Sequence, residues 1–298
     1  LVDGMSDDGT REYLESIASE ATLVLDNPQQ HVSEALNLAI KRSSGTIIVR
    51  MDVHSVFSAD YISTLVEYLL ATPEVGNVGV PCETLPSDTG LLATSISLVL
   101  STPVGVGGSS FRTESPAMPK TVDTVPFGCW RRGLFELIGY FDTDLVRNQD
   151  DEFNQRILKS GLEIHLLPGP RVIYYGRSEL LAHIKMFYQY GLFKPLVNRK
   201  IGKITTVRQI APASLVAFLF AACVLFFISP KISLACFITT LLAYLLVCSC
   251  NLRRYKGSVL KIYIPFVCCV LLTHLAYGIG YLKGLMFEIP NMKIGLSR

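Results

Sequence analysis

The hydrophobic pattern divides the chain in two. Up to residue 176, short apolar runs alternate with stretches of helical period. The runs "ATLVLDN" at 21–27, "TIIVRMD" at 46–52 and "VGNVGVP" at 75–81 are rich in β-branched residues and predict strands. Between them, "HVSEALNLAIKRSSG" at 31–45 and "SADYISTLVEYLLAT" at 58–72 repeat apolar residues every three or four positions and predict helices, the second with Ser58 as N-cap. Leu1 and Val2 read as the end of another buried strand and Asp3-Gly4 as the turn after it. A parallel strand needs neighbours, so a segment upstream of Leu1, carrying at least one strand and helix, is expected. Strands alternating with helices predict an α/β domain on a mostly parallel sheet covered on both faces.

The pattern lapses at 84–120, a stretch rich in Gly, Ser, Thr and Pro that includes "STPVGVGGSSFR". Its glycines do not follow a predicted strand and open a helix, so they are no dinucleotide fingerprint. A mobile loop over a site is expected here. The alternative is a phosphate-contacting loop with Arg112 as the contact.

Beyond residue 177 the character changes. The segment 178–198 spaces Leu180, Leu181, Ile184, Phe187 and Tyr188 as a helix, either amphipathic at a membrane surface or part of a core. Three apolar stretches follow at 210–229, 232–250 and 262–282, each near the ~20 residues that cross a bilayer. Lys231 is the only charged residue between Gln209 and Cys250, and 262–282 holds none. The expected organisation is thus a domain over 1–177, an interfacial helix and basic linker over 178–208, and a transmembrane region over 209–298. Lys194, Arg199, Lys200, Lys203 and Arg208 precede the first span, and Arg253, Arg254 and Lys256 lie between the second and third. By the positive-inside rule these flanks face the cytosol, with "SPK" at 229–231 and the C-terminal tail outside, although Lys283, Lys293 and Arg298 argue against the latter.

Composition adds little to this picture. The net charge of +2 is spread too unevenly to inform. Six of eight cysteines lie in or beside the spans, where they act as small apolar residues, and Cys82 and Cys129 stand alone. Neither a zinc site nor a disulfide framework is supported, which fits a reducing compartment for 1–208. No basic stripe with interleaved aromatics appears, so nucleic acid is not an expected partner. His274, the one histidine inside a span, is expected to make a helix–helix hydrogen bond; it offers a transporter reading little support.

Ligands of open α/β sheets bind beyond the carboxyl ends of the strands. Asp3 and Asp52 each end a predicted strand. If the chain stays extended from Asp52 to His54, both side chains face one way. A carboxylate and an imidazole together suit a divalent cation that holds a diphosphate. The third cluster is "RNQDDEFNQRILKSG" at 147–161, where Asp150, Asp151 and Glu152 open a helical pattern. One carboxylate would serve the helix dipole, and a run of three leaves one for a base or an anchor.

Together the three clusters resemble glycosyltransferase family 2, of GT-A fold, over residues 1 to about 198. "VDGMSDDGT" is similar to that family's V-D-G-x-S-x-D-G-T turn, "RMDVHS" stands where its D-x-D metal motif falls, and "NQDDEFNQRILKSG" resembles its E-D-x-D-L-x-x-R-L-x-x-x-G segment. Within the family the likeness is to the bacterial exopolysaccharide type, of which succinoglycan synthesis is typical. The resemblance implies a Rossmann-like nucleotide-sugar domain followed by three transmembrane helices. It implies inverting transfer of a sugar, UDP-linked by expectation, to a lipid-linked saccharide at the cytoplasmic (inner) membrane, with the catalytic domain cytosolic. Membrane lipid and other polysaccharide-assembly proteins are further expected partners. Asp150 is the implied catalytic base and Asp151 the second choice. Asp3, Asp52 and Arg112 fall on the donor side, Asp52 and His54 on a Mn²⁺ or Mg²⁺ ion, and Glu152, Gln189, Lys194 and Arg177 on the acceptor or diphosphate side. Aromatic residues at 187–193 are expected at the acceptor or in the core. Two departures stand out. His54 replaces an aspartate, and Gln189 is followed by "YGLFK" rather than the Q-x-x-R-W of processive members. A non-catalytic membrane subunit of a polysaccharide-synthesis complex is the alternative reading.

Overall fold

A computed structural model describes residues 1–287. In chain order its elements are β1 (Val2–Asp3), α1 (Thr10–Ser16), β2 (Leu25–Asp26), α2 (Val32–Arg42), β3 (Ile47–Val49), β4 (Ser55–Phe57), α3 (Tyr61–Ala71), β5 (Val75–Gly79), β6 (Cys82–Leu85), α4 (Leu91–Ser101), α5 (Pro103–Val106), α6 (Ser110–Thr113), β7 (Lys120–Thr121), β8 (Cys129–Arg131), α7 (Arg132–Ile138) and α8 (Gln149–Lys159). They continue with β9 (Glu163–Leu166), β10 (Val172–Tyr175), α9 (Leu180–Ile201), α10 (Ala211–Leu225), α11 (Pro230–Asn251) and α12 (Val259–Met286). The elements form two compact units interleaved along the chain. One holds 1–50, 62–79 and 120–166, and the other 51–61, 80–119 and 167 onward.

The first unit is built on a five-stranded sheet in the order β3-β8-β5-β9-β7, with β1 and β2 paired in parallel apart from it. The sheet is mixed rather than mostly parallel. β5 and β9 run parallel, while β8 enters between β3 and β5 antiparallel to both. Its three residues, Cys129–Arg131, are too few to show an alternation in sequence. The predicted strand at 21–27 shrinks to Leu25–Asp26, because Ser19 and Thr22 exchange backbone hydrogen bonds in a turn before it. α8 turns Phe153 and Ile157, four residues apart, into the core. Burying each contributes roughly 1.5–3 kcal/mol. Phe153 stacks on Phe141 at 4.5 Å and on Phe135 at 5.2 Å, so Phe153→Ala would cost ~3–5 kcal/mol.

The second unit has a three-stranded sheet, β4-β10-β6, in which β10 is parallel to β6 and antiparallel to β4. Residues 84–120 are not the mobile loop expected. α4 buries Ile96, Val99 and Leu100 in a cluster with Phe266, Val267 and Val270 of α12. The serines and threonines that suggested a loop bond back into the helix. Ser95 Oγ donates to Leu91 O at 2.7 Å, Ser101 Oγ to Ser97 O at 2.8 Å and Thr102 Oγ1 to Leu98 O at 2.7 Å. Ser58 does not cap α3 with its side chain; its carbonyl accepts from Tyr61 N at 3.1 Å, and its hydroxyl is buried without a partner.

α9 is a helix as expected, and it packs backbone to backbone along α12. A Cβ at Gly191 would lie 2.0 Å from Tyr277 O, one at Gly280 2.2 Å from Tyr188 O, and one at Gly284 2.2 Å from Leu192 O. Only glycine permits that approach. Phe187 and Phe193 are core residues here, the second of the two places expected for them. Three helical stretches are long and apolar enough to cross a membrane: Val207–Leu225, Pro230–Asn251 and Val259–Met286. His274 makes the expected helix–helix bond, with Nδ1 2.7 Å from Tyr244 Oη. Lys293 and Arg298 lie outside the described residues.

Candidate active site

In the first unit, β1 delivers Asp3 to a turn that closes on it. Asp3 Oδ1 accepts from Ser6 Oγ at 2.6 Å and Oδ2 from Ser6 N at 2.9 Å, and the residue is 4% exposed. The Ser6 hydroxyl holds the Asp3 carboxyl below the usual carboxylate range, outweighing burial, which raises it. Asp3 thus shapes the "DGMS" turn with one hydrogen bond accepted at each carboxylate oxygen.

The acidic run opens α8, and its members separate. Glu152 is buried. Its Oε1 accepts from Arg156 Nε at 2.7 Å and its Oε2 from Arg156 Nη2 at 2.8 Å. Arg156 in turn binds the carbonyls of Ile138 and Tyr140, tying α8 to the end of α7. Glu152 is thus a structural anchor, not the acceptor-side or diphosphate-side group expected. Asp150 is different. Its side chain is 41% exposed, and Oδ1 accepts from Arg50 Nη1 at 2.6 Å, while Arg50 is only 9% exposed. Asp151 is half-buried beside it in the first turn.

Arg50 escaped the sequence reading, although it stands in the quoted "RMDVHS". The chain there is locked by Arg50 N donating to Gly128 O at 3.1 Å. Gly128 has φ +89°, and a Cβ on it would meet the Trp130 ring at 2.3 Å. Asp150 also borders a small cleft lined by Asn77, Phe127, Trp130, Phe141 and Asn154, where Trp130 Nε1 is buried without a hydrogen-bond partner.

The second unit gathers a different set around Tyr174 of β10. Asp52 and His54 are not on an extended chain. Residues 52–55 form a turn closed by Ser55 N donating to Asp52 O at 3.1 Å, so the argument that placed both side chains on one face of a strand does not hold. The turn sets the His54 ring edge-on to Tyr174, with centroids 5.4 Å apart. Arg112, at the end of α6, holds its guanidinium 5.3 Å over the same ring and donates from Nη1 to Thr84 Oγ1 at 3.0 Å. Burial raises the Tyr174 phenol, so it stays neutral and can donate. Among the described residues no group of three or more His, Cys, Asp or Glu side chains could hold a metal. Burial also raises the Cys82 thiol, and the Cys129 thiol to about 12, so neither offers a thiolate. All eight cysteines are free thiols.

Of the remaining expected residues, Arg177 and Lys194 are half-buried, and Gln189 is 1% exposed on α9. Gln189 is therefore a core residue in this structure, because its helix face is the one covered. Sequence reading also missed His183. It is fully buried, with Nε2 2.8 Å from Thr273 Oγ1; that hydroxyl donates to Cys269 O, so His183 Nε2 is the donor.

Residues 1–89 match the model of the family described as Glycosyl transferase family 2. The succinoglycan biosynthesis protein ExoA of Rhizobium meliloti (strain 1021) is 29% identical over 226 residues, covering 74% of this chain and 67% of that protein. Over residues 1–89 the chain is similar to glycosyltransferase family 2. A second relative comes from Methanococcus voltae. This protein, a dolichyl N-acetyl-alpha-D-glucosaminyl phosphate 3-beta-D-2,3-diacetamido-2,3-dideoxy-beta-D-glucuronosyltransferase, is 26% identical over 209 residues, 67% of this chain and 64% of its own length. The chain thus spans about two thirds of each relative. Among solved structures, the mannosyltransferase PcManGT from Pyrobaculum calidifontis, in complex with GDP-Man and Mn²⁺, aligns with a TM-score of 0.55 at 18% identity. That alignment covers 94% of this chain and 76% of that one. It shows the shared GT-A fold. By these likenesses the chain is a transferase enzyme, and its long apolar helices make it a membrane protein.

Proposed function

We propose that this glycosyltransferase moves a sugar, with inversion, from a UDP-sugar to a lipid-linked saccharide in the synthesis of an exopolysaccharide or cell-surface glycan, with its catalytic residues on the cytosolic face of the membrane. The observation that carries the reading is the convergence of His54 and Arg112 on Tyr174, from three separate parts of the chain. An oxygen ligand at Asp52, a nitrogen ligand at His54 and a fixed cation at Arg112 suit a diphosphate held with a divalent ion. With two protein ligands in that motif, Mn²⁺ or Mg²⁺ would be held by Asp52 and His54 together with the diphosphate oxygens. When bound, the ion supplies positive charge to the leaving diphosphate. Arg112 adds a fixed positive charge on the same side.

The acceptor hydroxyl oxygen attacks the anomeric carbon while the bond from that carbon to the diphosphate oxygen breaks. The electron pair leaves with the nucleoside diphosphate. The hydroxyl proton goes to the Asp150 carboxylate, which Arg50 orients. Arg177 and Lys194 are candidate positive groups for the diphosphate. The dolichyl phosphate substrate in the name of the Methanococcus voltae relative supports a lipid-linked acceptor, and the basic flanks of the spans support a cytosolic site.

Titration of UDP into wild type and Asp52→Ala, with and without Mn²⁺, tests the donor side. Wild type is expected to bind UDP more tightly with Mn²⁺, and the variant to lose that gain. Equal, metal-independent affinities in both would contradict the reading.

A further inference from the structure

We infer that α12, although apolar enough to cross a membrane, lies along the membrane surface, and that α10 and α11 alone cross it. α10 and α11 form an antiparallel hairpin whose register is fixed by Ser233 Oγ donating to Ala222 O at 2.8 Å. Both are largely bare: 17% of the first apolar window and 11% of the second are buried, against 39% for α12. That register sets the start of α10 level with residue 244, about two turns short of Asn251 at the end of α11.

Tyr263, His274 and Gly278 of α12 each meet this hairpin. Tyr263 Oη donates to Leu245 O at 2.7 Å and lies 2.9 Å from Ser249 Oγ. His274 bonds Tyr244. Gly278 abuts Pro212 and Val216, where a Cβ would be 2.3 Å from the Pro212 carbonyl oxygen and 2.7 Å from Val216 Cγ2, and the hairpin register places them level with residues 243 and 239. These partners lie within about 18 Å of Asn251 along the hairpin, at ~1.5 Å per residue. Tyr263 and Gly278 are about 22 Å apart along α12 by the same rise. A helix crossing beside the hairpin would change depth by that distance. The partners of Tyr263 and Gly278 differ in level by about 9 Å, under half of that, so α12 runs obliquely across the hairpin.

What covers α12 agrees. Its first half packs under α4 and near Tyr174 of β10. Its second half, from Thr273 to Gly284, runs beside α9, which carries Lys185, Lys194, Arg199 and Lys200. A crossing α12 would draw those charges through hydrocarbon, where charged side chains are disfavoured. The exposed residues Leu260, Ile264, Cys268 and Ile279 fall on one stripe at three- and four-residue spacing, with the half-buried Leu271 and Leu275 between them and the exposed Lys283 at its end. One bare apolar face on an otherwise covered helix is the pattern of an in-plane membrane helix. Two crossings also return Lys283 and the basic tail to the side of Arg253 and Lys256, as the positive-inside rule requires.

The test places one epitope tag in the full-length chain at Lys231, at Lys256 or at the C-terminus, and reads antibody access in sealed vesicles of known orientation. The C-terminal tag is expected to share the side of the Lys256 tag and to oppose the Lys231 tag. A C-terminal tag on the side of Lys231 overturns the inference. In parallel, Leu271→Arg should keep wild-type membrane yield, since its charge can reach the interface, while Leu241→Arg in α11 should lose several-fold. Equal loss at both positions also overturns it.

Discussion

Arg50 and Asp150 are a hundred residues apart in sequence and 2.6 Å apart in space. Arg50 acts through its partner, so its removal should fall on turnover rather than on donor binding. Arg50→Gln is expected to lower kcat roughly 10–10²-fold, the scale of a misplaced reacting group, with KM for the donor little changed. Arg50→Lys should recover part of the loss. A change confined to KM, or no rescue by Lys, would assign Arg50 a different role. His183 carries a separate signature. Burial, with a smaller contribution from the Arg177 charge, pushes its imidazole down to about 4. The unfolded chain takes up that proton as pH falls through about 6.5, and the folded chain only near its lowered value. Stability is therefore full above about pH 6.5 and falls towards pH 4, by up to roughly 1.4 kcal/mol per unit. Melting in detergent at pH 7 and pH 5 should show this slope in wild type and a flatter one in His183→Gln; equal slopes would contradict the assignment. At this scale the sequence named the acidic run and the "RMDVHS" motif but not their uses. Nothing in one dimension says that Asp3 and Glu152 are satisfied by Ser6 and Arg156, or that Arg50 reaches Asp150, because those partners are set by the tertiary path of the chain.

Elements with their own period were legible, and elements made by packing were not. α2, α3 and the long apolar helices follow from spacing and length. α4 was hidden by its serines and threonines, which read as loop residues until their hydroxyls are seen bonding back into the helix. β8 was hidden by its brevity, and with it the antiparallel insertion that makes the sheet mixed. α9 was legible as a helix, but its partner was not, since the glycines that admit it lie in α12. That seam makes a sharp prediction. Gly280→Ala puts a methyl on the Tyr188 carbonyl, which cannot rotate away as a side chain would. Overpacking of this kind costs ~1–3 kcal/mol, so the melting temperature should fall by several degrees. Gly133→Ala, in α7 with open space around its Cβ, is the control and should be neutral or stabilising by up to ~1 kcal/mol. Equal effects at the two sites would mean that the α9–α12 approach is looser than described.

At the scale of the whole molecule, an α/β transferase fold is joined to apolar helices on a chain of small net charge, +2, whose basic residues gather beside the spans. Length and hydropathy revealed the membrane region, but not which helices cross, because crossing depends on how α12 meets its neighbours. The likeness to family 2 was legible from three ordered motifs, none of which would have carried it alone. The account stands on a sugar transfer in which Asp150 accepts the acceptor's proton. Its most direct test incubates membranes holding the full-length protein with a panel of labelled nucleotide-sugars and lipid extract. It compares wild type, Asp150→Asn and Asp151→Asn, with nucleotide binding measured alongside. Wild type should move label from one donor into the lipid fraction. Asp150→Asn should lower that transfer by roughly 10²-fold or more, as loss of a general base does, while binding nucleotide normally, and Asp151→Asn should be milder. Full transfer by Asp150→Asn, or no transfer by wild type from any nucleotide-sugar, would contradict the account.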